Sequence, residues 1–178
     1  MNSNLERLCS ADNNTSDTEE APYKSEKLGA DTNELRFLLT DFCEQVRSLD
    51  RSIRFVGIAD YAGALLASFY RPGLVPLMDI KETAQYSLQT VFRARTRTGF
   101  EPQLGEQRYA VAAYQNLIRA TLSIAHPEAE HHNLYLLVSL DVGSQYPSIL
   151  EGKIIPYLEK AKSELFPHTR FISEKYVD

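Results

Sequence analysis

The order of apolar segments after residue 33 constrains this chain more than any single motif does. A stretch with helical periodicity is followed by two runs of strand character and a second helix. Two more strand runs joined by a tight turn, a fifth strand and a last helix complete the chain. That order, αββαβββα, suits an α+β domain built on a single five-stranded antiparallel sheet with helices packed on it. It constrains the fold and discloses no reaction.

The first helix is predicted over Glu34–Leu49, where Leu35, Leu38, Leu39, Phe42, Val46 and Leu49 form one apolar stripe behind a capping pair, Asp31 and Glu34. Ile53–Ala59 is apolar on both sides, as a central strand covered on two faces would be. Asp60-Tyr61-Ala62-Gly63 reads as a turn, with Gly63 free to take a positive φ. A second strand, Ala64–Tyr70, stops at Arg71-Pro72-Gly73. The second helix begins near Ile80, with Asp79 as N-cap and Glu82 completing a capping box. Its expected buried stripe is Ile80, Ala84, Leu88, Val91 and Phe92, and it ends in Arg93, Arg95 and Arg97 ahead of Gly99. Strand three, Arg108–Tyr114, turns through Gln115-Asn116 into strand four, Leu117–Ala125. A polar loop, His126–Asn133, leads to the apolar strand five, Leu134–Leu140. The last helix opens at Pro147 and buries Ile149, Leu150, Ile154, Tyr157, Leu158, Ala161 and Leu165, with Pro156 expected to kink it.

Composition sets the outer bounds. With 178 residues, 43% of them hydrophobic, the chain can bury one good core. Residues 1–30 carry an excess of acids and few large apolar groups, so they are expected to form a disordered tail. One domain over 31–166 and a short C-terminal tail over 167–178 complete the expected organisation. A net charge of −5 argues against a nucleic-acid partner. The two cysteines, Cys9 in the tail and Cys43 in the first helix, make no disulfide framework and suit a reducing compartment. No run approaches the ~18 apolar residues that would span a bilayer, and the first residues lack a basic start before an apolar stretch. The expectation is a cytoplasmic protein with no membrane partner.

Three segments carry a resemblance. Ile53-Arg54-Phe55-Val56-Gly57-Ile58, Arg71-Pro72-Gly73-Leu74 and Leu104-Gly105-Glu106-Gln107-Arg108-Tyr109-Ala110-Val111-Ala112-Ala113-Tyr114 resemble a family of small archaeal proteins, abundant in ammonia-oxidising archaea, with no activity to carry over. The resemblance covers roughly Leu35 to Leu158, and the acidic tail is not part of that family's pattern. By order of elements the body is also similar to roadblock and profilin-like domains. That likeness implies a sheet between helices, dimerisation, and binding to small GTPases and scaffolds.

Candidate sites are sparse. His126, His131 and His132 share a loop with Glu128 and Glu130, suitable metal-ligand types at a spacing that matches no metal motif. Arg93, Arg95 and Arg97 can bind an anion through guanidinium forks, Arg108 can approach Arg97 across the following loop, and Arg71 flanks the first hairpin. The space between sheet and helix is expected to be filled by Phe55, Leu66, Leu88 and Phe92. Cys43 sits beside Phe42 in the buried stripe with no base placed next to it. No glycine-rich phosphate loop, nucleophile elbow or paired-cysteine motif is present. No catalytic residue, metal or cofactor is therefore assigned. The first expectation is a non-catalytic regulatory or protein-interaction module, pairing with itself as a C2 dimer or joining a larger assembly. Tyr109, Tyr114 and Tyr135 are its exposed contacts. The alternative is a sensor that holds an anionic ligand between sheet and helices near Arg71, Arg93 and Arg95.

Overall fold

The computed structural model describes residues 25–126 and 132–173, with side chains described within 33–126 and 132–166. Helix α1 spans Ser25–Ser48. It begins well before the expected Glu34, so the last residues of the expected tail are helical, and residues 1–24 lie outside the described residues. Leu39, Phe42, Cys43 and Val46 form its buried stripe. Burial pushes the Cys43 thiol up to about 12.

Strands β1 (Ile53–Ala59) and β2 (Leu65–Tyr70) form the first hairpin. Gly63 closes their turn at φ +87, and the Asp60 carboxylate accepts the Ala64 N–H at 2.8 Å. Helix α2 (Ile80–Thr98) starts in the expected capping box: Asp79 accepts from the Glu82 N–H and Glu82 accepts from the Asp79 N–H. A one-turn helix, α3 (Glu101–Leu104), precedes β3 (Ala110–Ala113). β3 is shorter than the predicted Arg108–Tyr114. The Tyr114 N–H donates to the Leu117 carbonyl, which closes the two-residue turn expected at Gln115-Asn116. Strands β4 (Ile118–Ile124) and β5 (Leu134–Leu140) follow.

The last helical region is α4 (Tyr146–Ile149), a π-helical turn (Leu150–Ile154) and α5 (Ile155–Ser173). Pro156 has no N–H to donate, and the ladder widens in the turn just before it, where the Ile155 N–H reaches back to the Leu150 carbonyl. Helix α5 runs into the expected C-terminal tail as far as Ser173.

The five strands lie in the order β2-β1-β5-β4-β3, and every neighbouring pair is antiparallel. β5 sits in the middle, and all seven of its residues are buried. Alternation divides the sheet into two faces. Val56, Ile58, Leu136, Val138, Ala120 and Leu122 join α1 and α5 in one large core. The opposite face, under α2, holds a smaller core of Phe55, Ala59, Val91, Ala94, Tyr135 and Leu137.

Helix α2 does not pack as expected. It turns Thr83, Ser87, Thr90, Val91 and Ala94 toward the sheet. Ile80, Leu88 and Phe92 are 89%, 55% and 65% exposed, and Ala84 is exposed as well. Two physical reasons account for this. Residues spaced by four drift about 40° per step around a helix, so Ile80, Ala84, Leu88 and Phe92 make no straight seam. The helix also approaches the β1–β2 turn too closely for large side chains. The Ser87 hydroxyl donates to the Gly63 carbonyl at 3.0 Å, and a Cβ on Gly63 would lie 2.7 Å from the Leu88 Cα.

Candidate interaction surface

The inward residues Val91 and Ala94 of α2 pack with side chains of β1 and β5, Tyr86 of the same helix lies over Arg119 of β4, and several residues on the β4–β3 side of that face stay half-buried or exposed. On β4, Ile118, Ala120, Leu122 and Ile124 are buried against α1 and α5, while Arg119 and Thr121 are half-buried and Ser123 is exposed. On β3, Ala110 is half-buried and Ala112 exposed, and Tyr114 just beyond is 47% exposed. β3 is also an edge of the sheet. Its residues, Ala110-Val111-Ala112-Ala113, include none of the charges or prolines that blunt an exposed edge.

One flank of α2 looks across this open area. The Arg119 guanidinium stacks on the Tyr86 ring, 3.8 Å from its centroid, and donates to the Met78 sulfur at 3.0 Å. The Tyr86 and Tyr114 hydroxyls are 3.4 Å apart. Burial raises the Tyr86 phenol above its ordinary range, and the Tyr114 hydroxyl adds to the shift. The opposite flank of α2 is fixed to the first hairpin. There the Arg95 guanidinium lies 3.6 Å from the Tyr61 ring centroid and donates to the Tyr61 carbonyl.

The arginines expected to hold an anion are dispersed. Arg71 donates to both oxygens of Asp141, at 2.6 and 3.2 Å, and Arg54 joins the same carboxylate at 2.9 Å. The Arg71 guanidinium, then Arg54, hold the Asp141 carboxyl below its usual range. This cluster lies where β1 begins and β5 ends, whereas Arg95 reaches the turn where β1 ends. Arg71 therefore shares no site with Arg93 or Arg95. Arg93 is exposed and donates to Gln89. Arg97 and Arg108 line one groove of about 400 Å³, but Glu101, Glu106 and Glu151 line it as well, and Arg108 lies 3.7 Å from Glu151. A neighbouring cavity of about 320 Å³, reached by Thr98, Thr121, Ser123 and Tyr135, carries Glu101 and Glu106. Two carboxylates make it unsuited to an anion.

The three tyrosines separate too. Tyr114 lies on the open face. Tyr109 is half-buried on the α1–α5 side, and its hydroxyl donates to Glu151 at 2.7 Å. Tyr135 is only 2% exposed. It stands on the central strand inside the smaller core, so the expectation that it is a surface contact is corrected. Of the four residues expected to fill the space under α2, only Phe55 does so. Leu66 packs on the other face, and Leu88 and Phe92 point outward. Glu128, Glu130 and His131 lie outside the described residues. The rings of His126 and His132 meet edge-on at 5.0 Å, and among the described residues no three His, Cys, Asp or Glu side chains gather to hold a metal.

Sequence reasoning missed Tyr86 and Arg119 and the open half of the sheet. The signal was in β4, where Arg119, Thr121 and Ser123 alternate with Ile118, Ala120, Leu122 and Ile124. That pattern marks a strand covered on one face only.

With this geometry the fold is that of roadblock/LC7 domains, as the order of elements had implied. The chain superposes on a structure described as "MglB with tetrameric arrangement" with a TM-score of 0.55, at 15% identity, over 79% of this chain and 91% of that one. It superposes on the roadblock/LC7 domain from Streptomyces avermitilis with a TM-score of 0.54, at 7% identity, over 71% of this chain and 97% of that one. For the gliding protein MglB from Thermus thermophilus the values are 0.52, 11%, 78% and 90%. The likeness is one of fold. No family model matches the sequence, and no curated protein matches it either. No helix among the described residues is long and apolar enough to cross a membrane.

Proposed function

We propose that this chain is a non-catalytic regulatory module that acts through protein contacts in the cytoplasm, and that its first partner is a second copy of itself. The observation that carries this reading is the half-covered face of the sheet. The open β4–β3 area adjoins an edge strand without charge or proline, and a second copy brought to that edge would extend the sheet and cover the area. The tetrameric arrangement described for one relative supports self-association, and a larger assembly fits the same surface. Kinship with the small archaeal proteins belongs to this reading and adds no activity to it.

Sedimentation of the intact chain at micromolar concentration tests the reading. The wild type is expected to sediment as a dimer or a higher even species. Ala112→Arg, which places a charge on an exposed edge residue and leaves the core untouched, is expected to sediment as a monomer. A wild type that stays monomeric across the micromolar range refutes self-association.

A further inference from the structure

We propose that the sheet face under α2 holds a binding site for a carboxylate with an unbranched apolar chain, entered at the β2 edge, whose head displaces Met78 from Arg119. The site is independent of the self-association proposed above. Strand register puts Arg119, Ser139, Phe55 and Tyr70 in one row across β4, β5, β1 and β2. At about 4.8 Å per strand spacing the row is roughly 14 Å long. At the β2 end it meets an open groove of about 540 Å³, which Leu65, Ser68, Tyr70, Pro76, Met78 and Ile80 line. Beneath the loop that joins β2 to α2 lies a closed cavity of about 20 Å³, lined by Arg54, Arg119 and Ser139. Tyr70, Thr83, Pro76 and Met78 line both spaces, so they form the wall between them. That wall is weakly closed. The Tyr70 and Thr83 hydroxyls are 3.5 Å apart, and the unbranched Met78 side chain is free to swing about its rotatable bonds.

Charge decides the occupant. The Arg119 guanidinium is half-buried, and it forms no ion pair among the described residues. It stacks on Tyr86 and donates to the Met78 sulfur at 3.0 Å, but a thioether is a weak acceptor. A cation taken out of water without a counter-charge is destabilising, so an anion delivered here relieves a cost already present in the fold. Arg54, by contrast, already shares the Asp141 carboxylate with Arg71. One guanidinium is therefore left for one negative charge, and a carboxylate matches its planar fork. The buried Ser139, directly opposite Arg119 on β5, carries a hydroxyl able to donate to the same head. A phosphate ester with two negative charges exceeds what one guanidinium balances. The rest of the path is apolar, with Phe55 and Leu74 at the cavity and Leu65, Pro76 and Ile80 along the groove. Asp79 and Lys81 at the groove are exposed and opposite in sign, so no net charge there holds the head outside.

Calorimetric titration of the intact chain with decanoate, kept below its micellar range, provides the test. One saturable site per chain is expected. Octanoate, two methylenes shorter, should bind about tenfold more weakly. Decanol has the chain without the charge and should bind about ten- to a hundredfold more weakly than decanoate. That comparison needs no variant. Arg119→Gln should lose the same factor for decanoate and leave decanol unchanged, a split that general loosening of the fold does not produce. Ser68→Trp fills the groove without touching Arg119 and should abolish binding of both ligands. Lys81→Gln should alter decanoate affinity by no more than about twofold, as befits an exposed charge. Thermal melts by circular dichroism confirm that each variant folds. The absence of saturable decanoate binding would overturn the site, as would decanol binding as tightly as decanoate or an affinity for decanoate that survives Arg119→Gln. Decyl phosphate binding more tightly than decanoate would overturn the choice of a carboxylate.

Discussion

Replacing Gly63 with alanine tests how α2 is seated. Gly63 sits at φ +87, and an added Cβ would lie 2.7 Å from the Leu88 Cα and 3.4 Å from the Leu88 N and O atoms. All three are backbone atoms, so no rotamer change relieves the contact. The helix must lift, and lifting loosens the hydrogen bond from Ser87 to the Gly63 carbonyl and the stacking of Arg95 on Tyr61. The left-handed backbone costs a non-glycine residue about 1–2 kcal/mol. Overpacking a tight contact adds about 1–3 kcal/mol, and the loosened hydrogen bond about 1 kcal/mol. Gly63→Ala should therefore cost about 3–6 kcal/mol, a large part of a typical stability of about 5–15 kcal/mol. Gly73→Ala is the control, because its φ is +76 and nothing lies within 4 Å of the added Cβ. It should cost only the backbone term of about 1–2 kcal/mol. Urea denaturation followed by circular dichroism measures both. Equal losses in the two variants would refute the close seating of α2 and, with it, the explanation of why its large apolar residues point outward.

Other outcomes follow from the same geometry. Leu88→Gln and Phe92→Ser should change stability by less than about 0.5 kcal/mol, whereas Val91→Ala, at 1% exposure, should cost about 1–3 kcal/mol in the same denaturation assay. Asp141 and Asp50 both have folded values below the ordinary 3.8, Asp50 at about 2 through Lys153 and Ser52. Their contribution is thus fully present above the unfolded value and fades as pH falls from about 4 toward 2; Asp141→Asn should destabilise at pH 7 and flatten that acid limb in urea titrations. Asp60 behaves oppositely, because burial raises its value and its ionisation opposes folding as pH rises above the unfolded value. Asp60→Asn keeps an oxygen for the Ala64 N–H and should be at least as stable as wild type at pH 7 in the same urea titrations. In a Cys9→Ser background, Cys43 should resist a thiol reagent in the native protein and react fully in denaturant, as its complete burial requires.

Much of the fold was legible because several signals agreed. β1 and β5 were readable to the residue, since their apolar runs end at turns and a polar loop. The Asp79–Glu82 capping box placed the start of α2. What failed was orientation. Leu88 and Phe92 are apolar and helical, and hydrophobicity alone sends them inward. The deciding facts were the closeness of Gly63 and the small residues Ser87 and Ala94, which are tertiary properties. Tyr135 failed for a related reason: nothing local distinguishes a tyrosine inside a central strand from one on its surface. The start of α1 was missed because Ser25–Thr32 has no apolar periodicity to announce a helix. The candidate surface was half legible. Tyr114 and the arginines of α2 were singled out, but that β3 is an edge and that this face is open appear only from the strand order and once β4 is seen to be covered on one side.

Amide hydrogen exchange along β3, followed across a range of protein concentrations, tests the central claim most directly. Self-association through this edge predicts that the outward N–H groups of Ala110–Ala113 become protected as concentration rises, while β1 and β5 stay protected throughout. Exchange at β3 that is fast and independent of concentration would contradict the account.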